Sequence, residues 1–323
     1  MCDWGCIMRE AAIVSEPNPL QRIPGVAMVL VLLIALFSVI APGFLSVANL
    51  SNVLVQSTIL TMLALPMTLI IMTEGLDLSM GAVLTLTSLC VAIVSLATKS
   101  MLLGLGAGLL VGTAFGVANG WLVAILGIPP FVATLGTLGM AQGLSLIVSD
   151  GQSVVGIPHS VRDIYSATLL GIPVPIVMAL VTYAIFHGLL YHTRFGTYIF
   201  ALGGNREALR YAGLSPNRLL IAVYAIGGAM AGIAGLLMTA RMNSGHPTAG
   251  LGLEFDAIAA VAVGGTSFER GNGWLLGTLL GVLSVGVLRN GLNLISLPSS
   301  VQVASVGVLV IVALFLDGLR SRT

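Results

Sequence analysis

Arg194 to Arg218 reads RFGTYIFALGGNREALRYAGLSPNR and separates one long apolar run, Ile172 to Tyr191, from another, Leu219 to Ala240. Within it Asn205 is a favourable N-cap, Glu207 falls in a first helical turn, Arg210 near the last, and Gly213 takes the C′ position. These signals predict a helix of about two turns, well short of the roughly 12–15 residues that an isolated helix needs in water. Such a helix is ordered by docking. Charged, capped and set between two runs of membrane-span length, it predicts a surface that engages a soluble partner.

The flanks decide the fold class. The chain is 57% hydrophobic and 8% charged, with a mean hydropathy of +1.06, where a soluble domain carries about 25% charged residues. Its apolar runs are rich in Gly, Ala, Ser and Thr, as helices packed closely in lipid require. The alternating ten-residue segments of a barrel, about 9–11 residues each, are missing, so the expectation is an all-α membrane protein. A net charge of +1, without a basic tract interleaved with aromatics, gives no nucleic-acid surface. Cys2 and Cys6 in the head and Cys90 in an apolar run form neither a disulfide framework nor a zinc pattern. The head MCDWGCIMRE has no apolar region before a cleavage site, which predicts no signal peptide, and Met8 offers a second start.

With about 20 apolar residues per span, about ten crossings are expected. They cover residues 24–41, 52–73, 79–98, 101–126, 130–148, 173–192, 217–240, 255–266, 273–290 and 299–317. With the N-terminus inside, one side holds Arg9, Arg22, Arg194, Arg206, Arg210, Arg218, Arg270, Arg320 and Arg322. The other holds Lys99, Arg162, Arg241 and Arg289, a bias that predicts cytoplasmic termini and a cytoplasmic Arg194 to Arg218. The organisation is then a cytoplasmic segment 1–23, one transmembrane domain 24–317 carrying the loop 193–217, and a cytoplasmic tail 318–323. Ser149 to Ile172 is the longest outside segment, a solvated connector or a docking surface for an extracytoplasmic partner. Met242 to Gly252 is a second outside loop, and neither has metal-site spacing.

Two polar breaks interrupt the apolar text. The first, Thr73-Glu74-Gly75-Leu76-Asp77-Leu78-Ser79-Met80-Gly81, carries Asp77 where it caps the next helix or contacts substrate, the cap being favoured. The second runs from Gly264 to Gly273, after an apolar run too short to cross alone. Both set glycine beside acidic and hydroxyl residues at the end of an apolar segment, a weak echo of an inverted repeat.

Pumping needs an energy source, and Lys99, the sole lysine, has no glycine among the residues just before it, so no P-loop exists here. Ion-coupled carriers place ionisable groups within spans. Glu74, Asp77 and Glu254 instead lie at the ends of apolar runs, which disfavours that class without excluding it. His187 and His192 are spaced off one helical face, and no G-x-S-x-G elbow is present, leaving little for an enzyme. A membrane subunit driven by a separate engine remains.

Four blocks carry a family resemblance. They are Gly75-Leu76-Asp77-Leu78-Ser79-Met80-Gly81; Ile128-Pro129-Pro130-Phe131-Val132-Ala133-Thr134-Leu135-Gly136; Thr193-Arg194-Phe195-Gly196 with Ala201 to Asn205, Glu207-Ala208 and Gly213; and Asp256 to Thr266. In this order, over most of the chain from Gly25 to Asp317, the sequence resembles the membrane permease subunits of bacterial ABC importers for ribose, galactose, arabinose, xylose and related small polar ligands. Glu74 departs from the pattern, standing where that family usually has glycine.

The resemblance implies a vitamin-importer-like architecture in the inner membrane, with two copies, or this chain and a related permease, around a central path. ABC ATPase subunits holding ATP and Mg would sit on the cytoplasmic face, and a periplasmic binding protein would deliver the solute; this chain itself holds no cofactor. Carried over, Gly204, Asn205, Glu207, Ala208, Arg210 and Gly213 form the coupling helix. For the translocation path the candidates are Asp77 and Ser79, with Asn119, Thr134, Gln142, Ser145 and Asn290 as small polar groups within spans. For each of these five the alternative, and the favoured one, is an interhelical hydrogen bond worth about 0.6 to 2 kcal/mol. A branched-chain amino-acid permease is the runner-up, and an ion-coupled carrier or a structural scaffold the readings from other classes. Pentose, hexose and a furanose-like signalling molecule of the autoinducer type all stay open, as does homodimer against heterodimer.

Overall fold

The computed structural model describes residues 19–266 and 271–320, with side chains for residues 25–266 and 271–312. Cys2, Cys6, Met8, Arg9, Arg322 and the part of the second break from Ser267 to Arg270 lie outside the described residues. The chain is a helical bundle: α1 Pro19–Ile40, α2 Val47–Met72, α3 Met80–Thr98, α4 Met101–Ala124, α5 Pro130–Ser149, α6 His159–Ser166, α7 Val174–Tyr191, α8 Arg194–Gly204, α9 Arg206–Tyr211, α10 Pro216–Met242, α11 Leu253–Val263, α12 Leu275–Leu294 and α13 Ser299–Arg320. One small hairpin, β1 Thr168–Leu169 and β2 Ile172–Pro173, pairs Thr168 with Pro173 and Leu169 with Ile172.

Seven of these helices, α2, α3, α4, α5, α7, α10 and α12, are long and apolar enough to cross a membrane. The apolar parts of α1 and α13 whose side chains are described, Gly25–Ile40 and Ser299–Val312, are shorter. At 11 residues α11 spans about 16 Å, half of a hydrocarbon core of about 30 Å. Burial separates centre from periphery: 83% of the apolar window of α2 is buried against 22% of that of α4.

Ends form where the sequence supplies caps. Ser46, Ser100, Thr193, Asn205 and Ser215 each accept a backbone N–H of the helix they precede, and Pro130 and Pro216 fill first-turn positions where no N–H is needed.

The most extensive contact between helices joins α4 to α10. Glycine recurs every fourth residue at Gly104, Gly108, Gly112, Gly116 and Gly120, one stripe of the α4 surface. A Cβ on Gly112 would overlap the carbonyl oxygen of Gly228, one on Gly228 that of Gly112, and one on Gly116 that of Tyr224. Only backbone fits between them. Polar ties hold other pairs: Thr68 and Thr278 hydroxyls lie 2.7 Å apart between α2 and α12, and Thr239 donates to the Ser88 carbonyl at 2.8 Å between α10 and α3.

Three features differ from expectation. The stretch 194–218 holds two helices rather than one, because Thr193 caps a further helix, α8. The connector 149–172 is partly folded, its α6 burying Val161 against Val91, Ala92, Leu236 and Ala240. The segment 243–252 turns back along α3: Gly245 packs on Leu89 and Ala92, while the Gly250 N–H donates to Thr85 Oγ1 at 2.9 Å. Gly245 also exchanges both backbone bonds with Val154, stitching the two segments together.

Replacing Gly112 with Leu drives a side chain into the Gly228 backbone and should destabilise by about 1–3 kcal/mol or more. A lower thermal midpoint in detergent is expected, whereas Gly136→Leu on α5, where an added Cβ meets nothing within 4 Å, should leave it unchanged.

Candidate functional site

The first break folds around Asp77. Helix α2 ends in a Schellman turn, with Glu74 N–H on the Ile71 carbonyl and Gly75 N–H on that of Ile70. Glu74 is exposed there with φ +58°, the left-handed conformation that glycine adopts at least cost. That accounts for glycine being usual at this position in the resembling family. Gly75 is required by contact: a Cβ would come within 2.8 Å of the Tyr224 hydroxyl, which donates to the Leu76 carbonyl at 3.3 Å.

Asp77 Oδ1 accepts Ser79 N–H at 2.8 Å and Ser79 Oγ at 2.6 Å, closing an Asx turn just before α3. Asn119 of α4 donates to Ser79 Oγ at 2.8 Å and more weakly to Asp77 Oδ2 at 3.4 Å. Thr137 of α5 donates to Asn119 Oδ1 at 2.6 Å. Thr134, one turn earlier, accepts the Leu78 N–H at 3.2 Å and donates to the Pro130 carbonyl at 2.8 Å. Asp77, Ser79, Asn119 and Thr134 thus belong to one network, all at most 2% exposed. Thr137, which sequence reasoning missed, completes it; only its one-turn spacing from Thr134 marked it.

The other path candidates lie elsewhere. Gln142 donates to the Pro247 carbonyl at 2.9 Å, tying α5 to the returning segment. Ser145 bonds back to the Ala141 carbonyl within α5, and Asn290 exchanges amide bonds of 2.9 and 3.0 Å with Asn49, joining α12 to α2.

A second candidate surface is α8–α9. Asn205 Oδ1 accepts Ala208 N–H at 2.9 Å, Glu207 lies in the first turn, Arg210 in the last, and Gly213 has φ +78°. Gly213 N–H on the Arg210 carbonyl and Leu214 N–H on that of Leu209 close a second Schellman turn. Gly204, Asn205, Glu207, Ala208, Arg210 and Gly213 are all exposed, while Leu209 is buried and anchors the helix. Tyr211, 86% exposed, adds an aromatic side chain that the sequence reading passed over. Behind this face, Gly203 is pressed between the Met72 carbonyl and Gly271, so α8 touches the ends of both polar breaks.

A third feature was missed altogether: Arg289 Nη2 of α12 lies 2.7 Å from both carboxylate oxygens of Asp256 on α11. Asp256 stands in the first turn of α11 and Arg289, expected among the outside charges, stands within the apolar helix α12. Among the described residues no cluster of His, Cys, Asp and Glu could hold a metal.

The chain is thus a multi-pass helical bundle whose interrupted helices are held by internal polar ties, with a short capped helix exposed at one end. Residues 49–314 match the family described as branched-chain amino acid transport system / permease component, and the chain belongs to it. It is similar to the ribose import permease protein RbsC of Escherichia coli K12, 38% identical over 294 residues, which cover 89% of this chain and 91% of that one. It is also similar to the D-allose transport system permease protein AlsC of the same organism, 36% identical over 300 residues and 92% of each chain. The L-arabinose ABC transporter permease protein AraH of Azospirillum brasilense is 32% identical over 296 residues, 92% of this chain and 87% of that one. No solved structure matches the chain.

Because Asp77 satisfies the Ser79 N–H and hydroxyl, Asp77→Ala should destabilise by about 1–3 kcal/mol. Lower yield and a lower thermal midpoint are expected. Native stability with lost transport would instead indicate direct contact with solute.

Proposed function

We propose that this chain is the translocation subunit of an ATP-driven ABC importer for a sugar or sugar-like solute, in the bacterial inner membrane with both termini cytoplasmic. The observation that carries the reading is likeness over about nine-tenths of the chain to permeases named for ribose, allose and arabinose. ATP and Mg belong to separate ATPase subunits. Gly204, Asn205, Glu207, Ala208, Arg210 and Gly213, joined by Tyr211, form the face that enters a groove on the ATPase. Support comes from their exposure together and from the capping of α9 at both ends, which makes the element rigid enough to transmit a displacement. Movement of α8 would pass through Gly203 to the ends of the two polar breaks.

A second permease copy, or a related permease, completes the path, and a periplasmic binding protein docks on the side of α6 and the β1–β2 hairpin. Asp77, Ser79, Asn119 and Thr134 serve the path from behind, holding the α2–α3 break in register with α4 and α5, while Gln142 holds the returning segment.

Co-expression with the ABC ATPase subunits of the same cell tests this. The native chain is expected to co-purify with one of them and to support uptake of labelled ribose, allose or arabinose. Glu207→Arg should lower ATPase recovery by about tenfold, or ~1.4 kcal/mol, with an unchanged amount in the membrane. Uptake abolished by a protonophore while ATP is maintained would turn the reading to an ion-coupled carrier. Uptake of leucine without sugar would turn it to the amino-acid branch.

A further inference from the structure

Between the end of α10, the returning segment, α11, α12 and α13 lies a cavity of about 660 Å³ that none of the path residues expected from the sequence lines. Its wall brings the Asp256–Arg289 pair together with Phe255, Val303 and Gly307. Arg241, also in the wall, is exposed and stands in the last turn of α10, where its charge complements the carbonyl end of that helix.

Ionisable side chains within a membrane bundle face one another or a water-filled space. Irregular backbone at that depth is confined to protein interiors and water-lined cavities. Here both occur at one place, since Leu251 and Gly252 of the returning segment line the same wall as the pair. Apolar walls with a few convergent polar groups, in a volume of roughly 300–1,000 Å³, are the usual form of a small-molecule site.

The chemistry narrows the occupant. Asp256, 4% exposed at its side chain, neutralises Arg289, so the pair offers guanidinium N–H donors without selecting an ion. Arg289, 32% exposed at its side chain, is accessible from the cavity. Phe255, 59% exposed, places an apolar ring beside them on the next position of α11. Hydroxyls for the pair and a C–H face for the ring describe a neutral polyhydroxylated solute. Among the described residues of this wall, an anionic lipid headgroup would find only Arg241 uncommitted to a carboxylate.

We propose that this cavity is a station on the solute's route, in which a neutral polyhydroxylated solute rests between the Asp256–Arg289 pair and the Phe255 ring. The proposal rests on the sugar-import reading. It assigns recognition to α11 and α12 rather than to the closed network around Asp77.

Gly307 gives a test that spares the ion pair, because a Cβ added there meets nothing within 4 Å. Gly307→Phe therefore fills the cavity from α13 without displacing the core. Uptake of labelled D-ribose, D-allose and L-arabinose is measured in cells expressing the complete importer. Gly307→Phe should lower uptake of the transported sugar by an order of magnitude, with unchanged membrane amount and ATPase co-purification. Phe255→Leu should lower it severalfold, and Gly106→Phe on α4, also in open space, should leave it at the native rate. Native uptake by Gly307→Phe overturns the station while leaving the importer reading intact. Loss of co-purifying phospholipid from that variant, with native uptake, makes the cavity a lipid seat and overturns it as well. A native importer that carries none of the three sugars removes the sugar reading, and the proposal with it.

Discussion

Backbone that leaves the helical ladder inside an apolar bundle must find its hydrogen-bond partners on neighbouring elements, because lipid supplies none. The break between α2 and α3 meets this condition with a handful of side chains. Asp77 takes the Ser79 N–H, Thr134 takes the Leu78 N–H, and Tyr224 gives its hydroxyl to the Leu76 carbonyl. These three side chains come from the break itself, α5 and α10, and Asn119 adds α4. The positions of α4, α5 and α10 are thereby referred to one loop. The returning segment 243–252 solves the same problem with Thr85, Gln142 and Val154.

What the sequence displayed follows from the range of the interactions concerned. Caps are local, so Asn205, Glu207, Arg210 and Gly213 were legible as a short helix, and all four take the expected places. Apolar runs are local too, and the long helices fall close to the expected spans. The course of 243–252 was not legible, because its Gly, Asn and Ser content describes a solvated loop as well as a buried one. Its partners, Thr85 and Val154, are remote in sequence. Asp256 and Arg289 were visible as single charges but not as a pair, since nothing in one chain announces which helices will face each other. Thr193 was readable as a cap and was passed over in favour of the stronger signal at Asn205.

The α8–α9 element and the α2–α3 break differ in what holds them. The break is buried and its polar groups are matched internally, so it keeps its shape without a partner. The α9 helix, six residues long, keeps its shape through two caps and the anchor Leu209, and leaves Glu207, Arg210 and Tyr211 turned out. A rigid interior joined to a rigid exposed knob transmits force better than either joined to a slack loop.

The glycine stripe of α4 extends this to the far end of the bundle. From Gly112 to Gly120, about 12 Å of axis, the α10 backbone lies too close for any side chain to stand between, while Gly104 abuts Ser95 of α3. Two helices clasped along that length have no room to shear, since sliding would bring a Cβ where only a hydrogen fits. They behave as one beam. Any displacement of the start of α10 must therefore carry α4 with it, over the whole stretch in which the two backbones touch.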